Sequence, residues 1–169
     1  MLFSYLNPVL DLGVDDFIEA AVAAGADGVL LTDLPVDADA ELERVFEESP
    51  LDLVRLIAPT TTPERARYIA SRSQGFVYYI SRTGVTGVRS ELSAGLQGRV
   101  ADLNDAAALP VAVGFGISTP EQAAAVATTA DGVVVGSAVV DALGREGVAG
   151  GAALVAALRG ALAKDPTGG

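Results

Sequence analysis

The stretch "LPVAVGFGISTPEQ" spans residues 109–122, and "ADGVVVGSAVV" follows it at residues 130–140. Each is a β-branched apolar run that breaks into glycine and then into a segment of helical character. A strand that ends at glycine and feeds a helix is the repeating unit of a parallel sheet, because a parallel neighbour is reached only through a long crossover. Working outward, four earlier runs have the same character: "LFSYL" (2–6), "GVLLT" (28–32), "DLVRLI" (52–57) and "FVYYIS" (76–81). With "VAVGF" (111–115) and "GVVVG" (132–136) they make about six parallel strands. They are near-continuously apolar, the pattern of strands covered on both faces.

Flanking helices are expected between them. "VDDFIEAAVAA" (14–24) and "DAELERVFEE" (39–48) carry apolar residues at spacings of three and four. Thr62 precedes Pro63 and Glu64, and Thr119 precedes Pro120 and Glu121, so each threonine offers an N-cap hydroxyl ahead of a first-turn proline and a negative charge. "AGADGVLL" (24–31) and "TTADGVVV" (128–135) repeat a helix end, an Asp-Gly turn and a buried strand. Successive right-handed βα units of this kind build a parallel sheet with helices outside it. A doubly wound open sheet uses six strands, whereas a closed (β/α)8 barrel needs eight and about 250 residues. Counting favours the open sheet. The ends of the chain disagree with the count, since residue 2 already begins a strand while "GGAALVAALRGALAK" (150–164) closes a unit normally. Material missing from a barrel is therefore expected on the N-terminal side.

Composition bounds the chemistry. Half of the 169 residues are hydrophobic, enough for one core, so a single domain over 1–169 is expected, with a flexible tail at about 165–169. Twenty-two acidic against 11 basic residues give a net charge of −11, which argues against nucleic acid or anionic lipid as partners. There is no cysteine and no histidine. Disulfides, thiol nucleophiles, histidine bases and ordinary zinc sites are excluded, and no metal site is expected. No apolar run reaches the ~20 residues of a membrane span and no signal peptide is visible, so a cytoplasmic location is expected.

What remains for function is main chain. Amides at glycine turns and the positive end of a helix dipole bind phosphate without a cationic side chain. The loops after the last two strands, a common phosphate position in barrels, carry Gly116, and Gly136 with Ser137. A third glycine loop, "SRTGVTG" (81–87), follows the fourth strand and is a candidate lid containing Arg82. Tyr5, Tyr78 and Phe115 lie near strand ends, where barrel ligands bind.

"SYLNPVL", "DGVLLTDLP", "GFVYYISRTGVTG", "VGFGISTPEQ" and "DGVVVGSAVV", in this order and spacing, resemble the tryptophan synthase α subunit over residues 1 to about 163. The resemblance implies a TIM (β/α)8 barrel, incomplete here, and a lyase of tryptophan biosynthesis that cleaves indole-3-glycerol phosphate into indole and glyceraldehyde 3-phosphate. It implies a β-subunit partner in an α2β2 heterotetramer, with pyridoxal phosphate in that partner and no cofactor in this chain. Position by position, it implies phosphate binding at Gly87, Phe115, Gly116, Gly136 and Ser137, and an indole pocket of Phe3, Tyr5, Ile57 and Tyr78. Arg82 and Thr86 fall in the closing loop. Asn7, Pro8, Asp33 and Pro35 fall on the partner face. The family's acid/base glutamate and its partner aspartate are expected before residue 1, leaving no catalytic residue assigned in this chain and edge strands without neighbours. Two other readings stay open at this point: a non-catalytic remnant that binds phosphate or the β subunit, and another sugar-phosphate barrel enzyme using a base such as Asp33.

Overall fold

The computed structural model describes residues 1–81, 89–114 and 116–162. They divide into two compact units, Met1–Tyr78 with Asp102–Pro110, and Tyr79–Ala101 with Val111–Gly169. The tail expected at about 165–169 lies outside the described residues.

In the first unit, β1 (Leu2–Ser4), β2 (Gly28–Leu31) and β3 (Asp52–Leu53) form a parallel sheet in the order β1-β2-β3. Phe3 stands opposite Leu30, and Val29 opposite Leu53. Helices α1 (Leu6–Leu12), α2 (Val14–Ala23) and α3 (Ala40–Glu47) follow the pattern of connections. Their apolar faces close a core of Val9, Ala21, Val29, Leu31, Leu34, Phe46, Leu51 and Leu53, with Phe17 edge-on to Phe46 at 6.4 Å. α4 (Pro63–Ser71) starts as the sequence expects, with the Thr62 hydroxyl accepting the Arg65 N–H. Asp39 caps α3 in the same way through the Leu42 N–H.

The second unit holds β6 (Val111–Gly114) beside β7 (Gly132–Val134), parallel, with Ala112 opposite Gly132. α6 (Pro120–Ala127) opens with a complete capping box between Thr119 and Gln122. α7 (Ser137–Leu162) contains Gly147 in a non-helical conformation, and Ile117, Ala123 and Leu158 form its small core. β5 (Val77–Ile80) and α5 (Arg89–Ala107) contribute residues to both units.

Three details depart from the sequence reading, each for a visible reason. Tyr5 and Leu6, expected in the first strand, leave it: Tyr5 is the N-cap of α1, an unforeseen helix that carries Pro8 in its first turn. The run 52–57 is two strands, β3 and β4 (Arg55–Ile57). The Val54 N–H still donates to Val29 of β2, but the Arg55 N–H turns to the Ser73 hydroxyl, which ends the ladder. Finally, the repeated Asp-Gly pair is the beginning of a strand. A side chain at Gly28 would stand 2.8 Å from the Asp52 carbonyl, and one at Gly132 3.3 Å from the Ala112 methyl group. Glycine is there because the neighbouring strand passes close.

Among the described residues β1 pairs only with β2 and β7 only with β6. Phe3 of β1 is 55% exposed, whereas every residue of β2 is buried.

A buried charge ties β4 to two helices. Arg55, 3% exposed, donates through Nη2 to Glu43 at 2.7 Å and Glu47 at 3.2 Å, and Arg72 reaches Glu47 at 3.1 Å. Glu43 Oε1 and Arg55 Nη1 find no partner among the described residues. Removing one ion leaves the other desolvated and unpaired, which costs more than the pair contributes. Arg55→Ala is expected to lower unfolding stability by about 3–5 kcal/mol in urea titration. Replacing Arg55 and Glu43 together by methionine and leucine is expected to recover most of that loss.

Candidate functional site

The residues singled out by sequence fall into two groups, one in each unit. In the first, Phe3 meets the ring of Tyr78 edge to face, 6.0 Å between centroids at 76°. Tyr78 is 6% exposed, and burial raises its hydroxyl pKa, so the phenol stays neutral and able to donate. Tyr5 at the start of α1 is 66% exposed. The Phe3–Tyr78 pair, one ring exposed and one buried, is an edge-to-face aromatic contact of the kind that can border a planar apolar ligand.

Ile57 does not join them. Successive side chains of a strand point to opposite faces. Arg55 of β4 reaches Glu43 on α3, so Ile57 shares the helix-facing side, where it is 1% exposed. Leu56, half-buried, takes the other face. The charged residue in an otherwise apolar strand was the available signal, because it marks which residues alternate outward.

The two segments expected on a partner face are bonded to one another. Asp33 Oδ1 accepts the N–H of Leu6, the first residue of α1, at 2.7 Å. Asn7 and Pro8 on that helix are exposed, as are Asp33 and Pro35. The carboxylate satisfies a main-chain donor that has no partner within its own helix. Farther along the same connection Asp37 adopts a positive φ of 72°, held by Arg65 and by the Tyr68 hydroxyl at 2.9 Å. Those bonds, Arg65 first, pull the Asp37 pKa below its ordinary value; the same contact with Asp37 raises that of Tyr68.

In the second unit Gly116 and Gly136 lie in the connections that follow β6 and β7. Gly116 has φ 76°, a left-handed conformation that favours glycine, and the next residue, Ile117, is buried. The Gly136 carbonyl accepts N–H groups from Val139 and Val140, which makes Ser137 the first residue of α7. The amides of Ser137 and Ala138 therefore precede any intrahelical acceptor and point out of the helix start. Gly136 and Ser137 are both exposed, and a methyl group at Gly136 would have no atom within 4 Å. Main-chain donors, a helix dipole and one hydroxyl gather at this point, the composition of an anion site.

Arg82, Thr86, Gly87 and Phe115 lie outside the described residues. Among the described residues no group of three or more histidine, cysteine, aspartate or glutamate side chains is placed to hold a metal. None of the described helices is long and apolar enough to cross a membrane.

The family model described as "Tryptophan synthase alpha chain" matches residues 1–161. The tryptophan synthase alpha chain of Geobacter sulfurreducens is 51% identical over 140 residues, covering 83% of this chain and 53% of that relative. That of Caulobacter sp. strain K31 is 50% identical over 141 residues, covering 83% and 51%. The solved structure of Mycobacterium tuberculosis tryptophan synthase superposes with a TM-score of 0.83 at 40% identity, over 96% of this chain and 62% of that one. The tryptophan synthase alpha chain of Legionella pneumophila gives 0.79 at 34%, over 95% and 62%. The chain spans about half the length of the curated relatives it matches. The likeness decides between the two architectures: the strand and helix units are those of a (β/α)8 barrel, in part.

The two glycines make different demands. Gly116→Ala forces a side chain into the left-handed region and is expected to cost about 1–2 kcal/mol of stability by thermal unfolding. Gly136→Ala meets open space and is expected to change stability by less than about 0.5 kcal/mol.

Proposed function

Because this chain belongs to the tryptophan synthase alpha chain family, we propose that it carries the ligand-holding part of an enzyme that cleaves indole-3-glycerol phosphate into indole and glyceraldehyde 3-phosphate in tryptophan biosynthesis. The observation that carries this reading is the start of α7, where Gly136 and Ser137 expose main-chain amides and a hydroxyl. Gly116, with Gly87 and Phe115, completes the phosphate assignment. On the indole side we assign Phe3, Tyr5 and Tyr78, and we put Leu56 in the place of Ile57 because Leu56 faces away from the helix layer. Arg82 and Thr86 are assigned to the closing loop.

Cleavage needs a proton delivered to the ring carbon that bears the glycerol chain and one removed from the hydroxyl whose carbon becomes the aldehyde. The chain has no histidine or cysteine for this work. Asp33, the strand-end carboxylate available as a base, is engaged with the Leu6 amide. The residues here bind and orient; the acid/base carboxylates are not among those we assign. The 169-residue polypeptide is accordingly expected to bind without turning over. The paired segments around Asn7–Pro8 and Asp33–Pro35 present one exposed, internally hydrogen-bonded surface. We assign it to a pyridoxal-phosphate-carrying β subunit in an α2β2 assembly. The location that goes with this pathway role is the cytoplasm.

Calorimetric titration with glycerol 3-phosphate, alongside an indole-release assay, checks the reading. Saturable binding is expected, weakened roughly threefold to tenfold by Ser137→Ala through loss of one hydrogen bond. No indole is expected from indole-3-glycerol phosphate with this polypeptide alone. Indole release, or absence of phosphate binding, would overturn it.

A further inference from the structure

A cavity of about 300 Å³ lies within the first unit, between β3, β4, α4 and the connection that follows β2; Leu56, assigned above to the indole side, and Pro35 of the partner face are in its wall, whereas Phe3 and Tyr78 are not. Its apolar wall includes Leu34, Leu53 and Ile69, and Thr61, Arg55 and Arg65 also line it. Among the described residues no carboxylate lines it, in a chain of net charge −11. A space at the small end of ligand pockets, with an apolar wall and cations, suits a small carboxylic acid with a ring or branched body.

The two arginines are not equivalent. Arg55 is buried and its charge is matched by Glu43 and Glu47, although its Nη1 has no acceptor among the described residues. Arg65 is 42% exposed in its side chain and holds the roof of the cavity: Nη2 donates to the Val36 carbonyl at 2.6 Å and Nη1 meets Asp37 at 3.1 Å. Its guanidinium also lies 5.2 Å from the Tyr68 ring centre. Asp37 holds on with a single oxygen to Arg65, from a left-handed backbone that an aspartate adopts at a cost. An incoming carboxylate can engage the fork with both oxygens, and charge balances because it takes the place of Asp37 rather than adding to it.

We propose that this cavity is a second ligand site, for a small apolar carboxylate that exchanges with Asp37 on Arg65 and so unfastens the connection between β2 and α3. That connection contains Asp33, whose carboxylate holds the start of α1. Occupancy of the cavity thus acts on the same surface assigned above to the partner subunit. The site itself stands whether or not that assignment does.

The test is an NMR titration of the 169-residue chain with benzoate, with benzamide as the uncharged control and glycerol 3-phosphate as a separate titrant. Saturable benzoate shifts are expected at the amides of Leu34, Val36 and Ile69, with none from benzamide. Asp37→Asn removes the competing carboxylate and is expected to tighten benzoate at least threefold. Arg65→Gln is expected to weaken it at least tenfold, and Arg65→Lys, which keeps the charge without the fork, by an intermediate factor. Equal response to benzamide, unchanged binding in Arg65→Gln and Arg65→Lys, or weaker binding in Asp37→Asn would each overturn the proposal. Shifts at Ser137 and Ala138 with glycerol 3-phosphate report on the phosphate reading alone, so either reading can fail without the other.

Discussion

Parallel strands cannot be joined by a tight turn, and most of what this chain does follows from that constraint. Each strand must be followed by a crossover, and most of these crossovers contain a helix whose first N–H groups have no acceptor in their own helix. The fold therefore creates unsatisfied donors just beyond strand ends. Local chemistry decides how each set is used. Asp39, Thr62 and Thr119 satisfy the starts of α3, α4 and α6 from within the chain. Asp33 does so for α1 from another connection. At α7 the preceding residue is Gly136, which has no side chain to give. The anion site proposed here is a helix start preceded by glycine.

The strand positions were legible because they rest on hydrophobic burial, which leaves apolar runs. The caps were legible because hydroxyl, proline and glutamate occur at fixed offsets. Less legible were features that depend on what lies across space. Nothing local in "DLVRLI" reports that Ser73 will take the Arg55 amide and end a ladder. The helix at Leu6–Leu12 depends on Asp33, far along the chain, so its first residues read as strand. Gly28 and Gly132 were recognised as a repeat, but their purpose, the close approach of Asp52 and Ala112, appears only with the register known.

The candidate site divides in the same way. Gly136 and Ser137 are visible in sequence because a main-chain anion site needs little beyond glycine at a helix start. The aromatic pair Phe3 and Tyr78 joins strands far apart in the chain, and position alone gives neither its contact nor its geometry. Ile57 shows the limit of reading position without direction, since one residue along a strand reverses the face. The Arg65–Asp37–Tyr68 contacts had no signature at all: three ordinary surface residues become a fastening only because Asp37 adopts a left-handed backbone.

The central claim is that open main-chain donors at the head of α7 hold the phosphate. Amide hydrogen exchange at Ser137 and Ala138, followed with and without saturating glycerol 3-phosphate, tests it most directly. The account predicts that exchange at these two amides slows when phosphate is present, with little change at the capped starts of α3 and α4. Unchanged exchange at Ser137 and Ala138 under conditions where phosphate is bound would place the anion elsewhere and contradict it.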